Sequence, residues 1–182
     1  KNLINNNYFL AVGRLSRQKN FSFLIKNMKD FLDKDLNLKL VIIGEGEEKK
    51  KLIGQIKNYK LEERVILLGF KENVFKFLHN SKAFILSSLW EDPGFVLLEA
   101  AYLNIPIISS NCPNGPSEIL DNGKYGFLFK SNCDIDFKEK VQNFLKCSNE
   151  VLKQKKINAK KQSKKFSLFN HSQELGKILN II

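Results

Sequence analysis

The sequence is poor in cysteine, histidine and proline, and short of acid relative to base. Its three cysteines, Cys112, Cys133 and Cys147, are odd in number and widely spaced. They indicate neither a disulfide framework nor a zinc site, so a reducing cytoplasm is the default compartment. The two histidines, His79 and His171, lack a neighbouring carboxylate or nucleophile in a recognisable arrangement, and no serine sits in a nucleophile elbow. Covalent hydrolase chemistry finds no support. Four prolines make no proline-rich linker. No apolar run approaches the roughly 20 residues needed to cross a bilayer.

Nineteen acids against 30 lysines and arginines leave a net charge of +11. Such an excess attracts anionic surfaces. Much of it falls late, at Lys153, Lys155, Lys156, Lys160, Lys161, Lys164 and Lys165. This run reads first as a solvated helical face and second as a peripheral contact with an anionic membrane. Nucleic acid is not expected as a partner, because no nucleic-acid-binding signature accompanies the charge.

What the chain does have is enough apolar residue, 43% of 182, to bury a core. It opens at Lys1 rather than Met, which suggests a segment of something longer. Short apolar stretches at 8–12, 40–43, 65–68, 83–86, 105–108 and 127–129 lack polar alternation, as strands covered on both faces do. Helical patterns lie between them. Phe21, Leu24, Ile25, Met28, Phe31 and Leu32 form one stripe, Leu52, Ile53, Ile56 and Tyr59 a second, and Val74, Phe77 and Leu78 a short third. Phe137, Val141, Phe144 and Leu145 suggest a further helix, and segments 152–166 and 175–182 suggest more. The expectation is one α/β domain over residues 1–182, a doubly wound, Rossmann-like parallel sheet of about six strands with flanking helices.

In such sheets ligands bind beyond the carboxyl ends of the strands. After the fourth strand comes Trp90-Glu91-Asp92-Pro93-Gly94-Phe95-Val96-Leu97-Leu98-Glu99. Asp92 and Pro93 suit the cap and first position of a helix. The amides of Gly94, Phe95 and Val96 would then lack intrahelical acceptors and favour a phosphate. Glu91 and Glu99 flank them, better suited to hydroxyls than to a bare phosphate. Glu99 stands among Leu97, Leu98, Ala100 and Ala101, where a carboxylate usually has a bound partner. After the first strand, Gly13 and Arg14 followed by Lys19 put two cations at the same mouth, able to share a diphosphate. A ligand with phosphates and hydroxyls is a nucleotide sugar. Gly44-Glu45-Gly46 reads as a tight strand-to-helix turn rather than a dinucleotide fingerprint. Lys71, after Gly69-Phe70, either meets a base edge through its backbone or simply ends a strand.

Gly13-Arg14-Leu15-Ser16 with Gln18-Lys19-Asn20, then Val41-Ile42-Ile43-Gly44-Glu45-Gly46, then Leu68-Gly69-Phe70, then Glu91 with Glu99-Ala100, then Pro113-Asn114-Gly115-Pro116-Ser117-Glu118-Ile119-Leu120, follow the order and spacing of glycosyltransferase family 4. The resemblance covers residues 8–129. It implies the C-terminal, donor-binding half of a GT-B enzyme, with the N-terminal acceptor domain absent from this chain. It implies transfer of a sugar, with retention, from a UDP- or GDP-sugar to a glycan or lipid-linked acceptor in polysaccharide or lipopolysaccharide synthesis. By that resemblance Arg14 and Lys19 hold the diphosphate, Glu91 contacts the donor sugar, and Glu99 accepts from the ribose. The amides of Gly94 and Phe95 touch sugar or phosphate, with Val96 beside them, and the chain near Lys71 meets the base. No metal or further cofactor is expected, since the cations take that role. The family commonly has Gly-Phe directly after the first glutamate, where this chain has Asp92-Pro93. Proline has no N–H, so one donor amide is missing. Two rival readings stay open: a nucleotide-sugar-binding module without catalysis, and a basic domain for anionic lipid or nucleic acid.

Overall fold

Strand residues that alternate between two apolar surfaces need helices on both sides, and the computed structural model, which describes residues 7–92 and 94–179, supplies them. Strands β1 (Tyr8–Val12), β2 (Lys39–Ile43), β3 (Val65–Leu67), β4 (Ala83–Leu86), β5 (Ile107–Ser110) and β6 (Phe127–Phe129) form one parallel sheet in the order β3-β2-β1-β4-β5-β6. Phe9, Ala11, Leu40, Ile42 and Ile85 point to one face, covered by α1 (Phe21–Lys34), α2 (Lys49–Asn58) and α6 (Asp134–Lys146). Leu10, Val41, Ile43, Phe84 and Leu86 point to the other, covered by α3 (Phe75–His79), α4 (Phe95–Tyr102), α5 (Pro116–Ile119) and α7 (Asn149–Ser163). Helix α8 (Leu168–Ile178) ends the described chain. Each fully buried Leu, Ile or Phe in these layers contributes about 1.5–3 kcal/mol relative to exposure. The expected doubly wound sheet is present.

The first apolar stripe is buried throughout. Elsewhere the pattern overreaches, for Ile53 and Leu145 are exposed. The fifth strand, expected at 105–108, begins two residues later. The Ile105 amide donates to Ala100 O at 3.0 Å and closes the end of α4, and Pro106 has no amide to offer a ladder. The strand then runs on through Ser109 and Ser110, both buried, which an apolarity criterion passes over. The fourth helix starts at Phe95 with Gly94 as its cap, not at Asp92. Gly94 holds φ 74°, a left-handed conformation that a right-handed helix cannot pass through. Pro93, and the last three residues of the final helical segment, lie outside the described residues.

The lysine run is not uniformly solvated. Lys155 Nζ donates to the carbonyls of Gly123, Lys124 and Gly126 at 3.1, 3.0 and 3.2 Å and lies 5.1 Å from the Phe127 ring centroid. Burial pushes its ammonium pKa down. One lysine of the run therefore caps the turn before β6.

Candidate functional site

Strand order reverses between β1 and β4, the place where open α/β sheets bind ligands. Two loops meet there. The loop after β1 is first sewn to the loop after β2: Gly13 N–H donates to Ile43 O, Leu15 N–H to Glu45 O, and Glu48 N–H to Leu15 O, each at 2.9 Å. A Cβ on Gly44 would stand 1.9 Å from Gly13 O, so glycine is required where the two backbones touch. Gly44-Glu45-Gly46 is thus a packing turn, as its spacing suggested. A single 3₁₀ turn, Arg17–Lys19, then carries the loop toward β4. Leu89 N–H donates to Gln18 O at 2.8 Å, and Gln18 Nε2 to Trp90 O at 3.0 Å.

This fixes Lys19 against Glu91. The Lys19 ammonium donates to Glu91 Oε1 at 2.7 Å and to Oε2 at 2.8 Å. The Glu91 side chain is 3% exposed and that of Lys19 16%. Ser88 Oγ also donates to Glu91 Oε1, and Glu91 N–H donates to Pro113 O at 3.1 Å. A buried carboxylate held by a cation and a hydroxyl satisfies the pairing a buried charge demands, and the bond to Pro113 O fixes the backbone that carries it. Gly13 lies beneath, for a Cβ there would meet the Lys19 stem at 2.9 Å.

Lys19, Leu86, Glu91, Asp92, Gly94, Phe95 and Val96 line a cavity of about 210 Å³. Phe95 and Val96 occupy the first two positions of α4, whose amides have no intrahelical acceptor, and the positive end of the helix dipole faces the cavity. Five of the nine sequence-predicted site residues, Lys19, Glu91, Gly94, Phe95 and Val96, are therefore brought together.

The remainder lie differently. Glu99 belongs to a neighbouring cavity of about 710 Å³, which Phe95 also lines, with Phe75, Tyr102 and Phe166. Burial raises the Glu99 carboxyl pKa, and among the described residues no charge or hydrogen bond offsets it. Arg14 turns outward: its Nε pairs with Glu47 Oε2 at 3.1 Å, with both side chains exposed. Lys71 is an exposed residue beyond β3, two strands from the reversal. The structure does not bring Arg14 or Lys71 to the cavity.

Sequence reasoning overlooked Ser87, Ser88 and Ser110. All three are buried and hydrogen-bonded next to the ion pair. The available signal was two consecutive serines directly after an apolar strand, since buried hydroxyls need partners. Buried Cys112 lies nearby, its thiol pKa pushed up chiefly by burial. Among the described residues no three His, Cys, Asp or Glu side chains cluster as a metal site, and no helix is long and apolar enough to cross a membrane.

The strand-order reversal, with an ion pair beside a helix N-terminus at its mouth, defines a doubly wound, Rossmann-like α/β domain. The sequence model of glycosyl transferases group 1 matches residues 1–162, and the chain belongs to that family. It is 44% identical over 135 residues to an uncharacterized glycosyltransferase of Methanocaldococcus jannaschii, covering 67% of this chain and 33% of the relative. It is 36% identical over 135 residues to the UDP-Gal:alpha-D-GlcNAc-diphosphoundecaprenol alpha-1,3-galactosyltransferase of Escherichia coli, covering 70% and 33%. The crystal structure of Anabaena Alr3699/HepE in complex with UDP superposes with a TM-score of 0.84 at 22% identity, covering 98% of this chain and 50% of that one. The fold is that of a GT-B glycosyltransferase domain. The chain spans about a third of the length of the two sequence relatives.

Proposed function

We propose that this chain is the nucleotide-sugar-binding, C-terminal domain of a retaining glycosyltransferase that uses a nucleoside diphosphate sugar. The observation that carries this reading is the buried Lys19–Glu91 pair at the strand-order reversal, beside the N-terminus of α4. Breaking the sugar–phosphate bond leaves negative charge on the β-phosphate. An ammonium has three N–H donors, and Glu91 accepts two of them, which leaves one for a phosphate oxygen. The α4 amides add fixed dipoles, and such pre-placed donors lower a barrier by about 3 kcal/mol each.

Glu91 then contacts the donor sugar. Glu99, half-buried and without a partner among the described residues, accepts from ribose hydroxyls. Arg14 reaches the diphosphate by leaving Glu47, an exposed pair that holds it weakly. Lys71 offers its backbone to the base. The reaction needs no metal in this reading, because cations and amides stabilise the leaving group. The relative from Escherichia coli is named for a UDP-sugar donor and a diphosphoundecaprenol acceptor, and Alr3699/HepE was crystallised with UDP. Both support a UDP-sugar donor, and the first supports a lipid-linked acceptor. In this reading a further domain holds a glycan or lipid-linked acceptor, in cytoplasmic cell-envelope synthesis. The lysine-rich α7 supports peripheral contact with the inner face of the membrane.

Calorimetric titration of the full-length protein with UDP, GDP and ADP tests the site. At least one diphosphate should bind, and both Lys19→Ala and Glu99→Ala should weaken it. Binding indifferent to both substitutions would refute the assignment. Donor affinity without transfer to any acceptor would identify a binding module instead. Chelator that abolishes transfer would overturn the metal-free reading. NMR of the product's anomeric proton decides retention.

A further inference from the structure

The two adjacent serines that follow β4 hold opposite partners of the ion pair. Ser87 Oγ donates to the backbone carbonyl of Lys19 at 2.7 Å, fixing the stem from which the ammonium reaches. Ser88 Oγ donates to Glu91 Oε1. The Ser88 carbonyl is itself anchored, accepting from Ser110 Oγ at 2.7 Å and from Ser131 Oγ at 3.4 Å. Strand β5 and the loop after β6 therefore stiffen the point from which Ser88 acts.

Glu91 is left asymmetric. Its Oε1 receives two donors, Lys19 Nζ and Ser88 Oγ, whereas among the described residues Oε2 receives only Lys19 Nζ. Each carboxylate oxygen accepts about two hydrogen bonds, so Oε1 is filled and Oε2 has capacity left. Oε2 is also the oxygen on the Gly94 side, where a Cβ would stand 3.6 Å from it. Gly94 and Glu91 both line the 210 Å³ cavity.

We propose that Ser88 is a positioning residue for sugar transfer. It fills Oε1 and stops rotation of the carboxylate, so that Oε2 is the atom presented to a hydroxyl of the donor sugar. This rests on the reading of Glu91 as the group that contacts that sugar. Lys19 alone cannot fix the choice, because its ammonium bonds both oxygens at nearly equal distance.

The test measures donor consumption and unfolding in the full-length protein. Ser88→Ala should lower kcat about tenfold, the worth of one hydrogen bond to a charged group, with donor KM within about threefold. Ser88→Thr keeps the hydroxyl and should recover most of the rate. Because an added methyl at a buried site can strain packing, a second measurement stands beside it. In an unfolding cycle of Ser88→Ala with Glu91→Ala, the double variant should fall short of additivity by about tenfold in the unfolding constant. An unchanged kcat in Ser88→Ala, or an additive cycle, overturns the proposal. Were the wild type to transfer no sugar at all, the functional reading fails. A coupled cycle would then leave Ser88 a structural clamp only, and its role in transfer would fall as well.

Discussion

Lys19 and Glu91, 72 residues apart in the chain, meet with one ammonium bonded to both oxygens of a buried carboxylate. Lys19 thus neutralises a charge the fold has buried and, in the proposed function, keeps one of its three N–H donors for a ligand. Arg14, five positions earlier in the same loop, does neither at rest, since it pairs with Glu47 over solvent.

The two cations should therefore separate by experiment. Lys19→Ala leaves Glu91 buried without its countercharge and should cost about 3 kcal/mol in denaturant unfolding. Removing Glu91 as well should cost less than the sum of the two single changes. Arg14→Ala should leave stability unchanged within error while lowering turnover, as Lys19→Ala also does, by about a hundredfold. Equal stability losses in the two variants would contradict the burial of the pair.

Glu99 gives a pH dependence of defined sign. Burial raises its carboxyl pKa above the usual 4.5, so the folded chain binds the proton more tightly than the unfolded one. Stability on this account falls as pH rises through the window from the unfolded to the raised value, and the full penalty stands above it. Glu99→Gln should raise the melting midpoint at about pH 7 and leave it unchanged below about pH 4. Melts at the two pH values check this, and a stabilisation equal at both would not fit a desolvated carboxylate.

Lys155 behaves as a cap rather than a surface charge. Losing its three bonds to the 123–126 turn should cost about 2 kcal/mol in Lys155→Ala. Lys161 is an exposed residue of the same helix, and Lys161→Ala should leave urea unfolding unaltered, as surface substitutions generally do. A uniformly solvated run would make the two substitutions alike.

Two glycines should respond with opposite sign. Gly44→Ala drives a Cβ into Gly13 O and should destabilise by about 3 kcal/mol or more, since both backbones must part. Gly54, inside α2, has open space around it, and Gly54→Ala should stabilise by about 0.5–1 kcal/mol through helix propensity. Chemical denaturation of the two variants reads both.

Much of the architecture was legible because its signals are local. Continuous apolar segments marked the strands, and the period of Phe21, Leu24, Ile25 and Met28 marked α1. Boundaries were less legible where a local rule met a tertiary one. Asp92-Pro93 looked like a helix start, yet Gly94 in a left-handed conformation sets it at Phe95. Ser109 and Ser110 fell beyond the strand expected at 105–108, yet Ser110 Oγ donates to Ser88 O and both serines belong to the sheet.

The sequence by itself determined the layered α/β order, the family, and the two loops that carry Lys19 and Glu91, because composition and spacing act within a few residues along the chain. Only tertiary structure decided that Lys19 is spent partly on Glu91, that Arg14 faces water, that Glu99 opens into an adjoining cavity, and that Ser87 and Ser88 hold the pair. These outcomes depend on which groups become neighbours once water is removed from between distant segments, and charge pairing in a buried site follows those distances rather than separation in sequence.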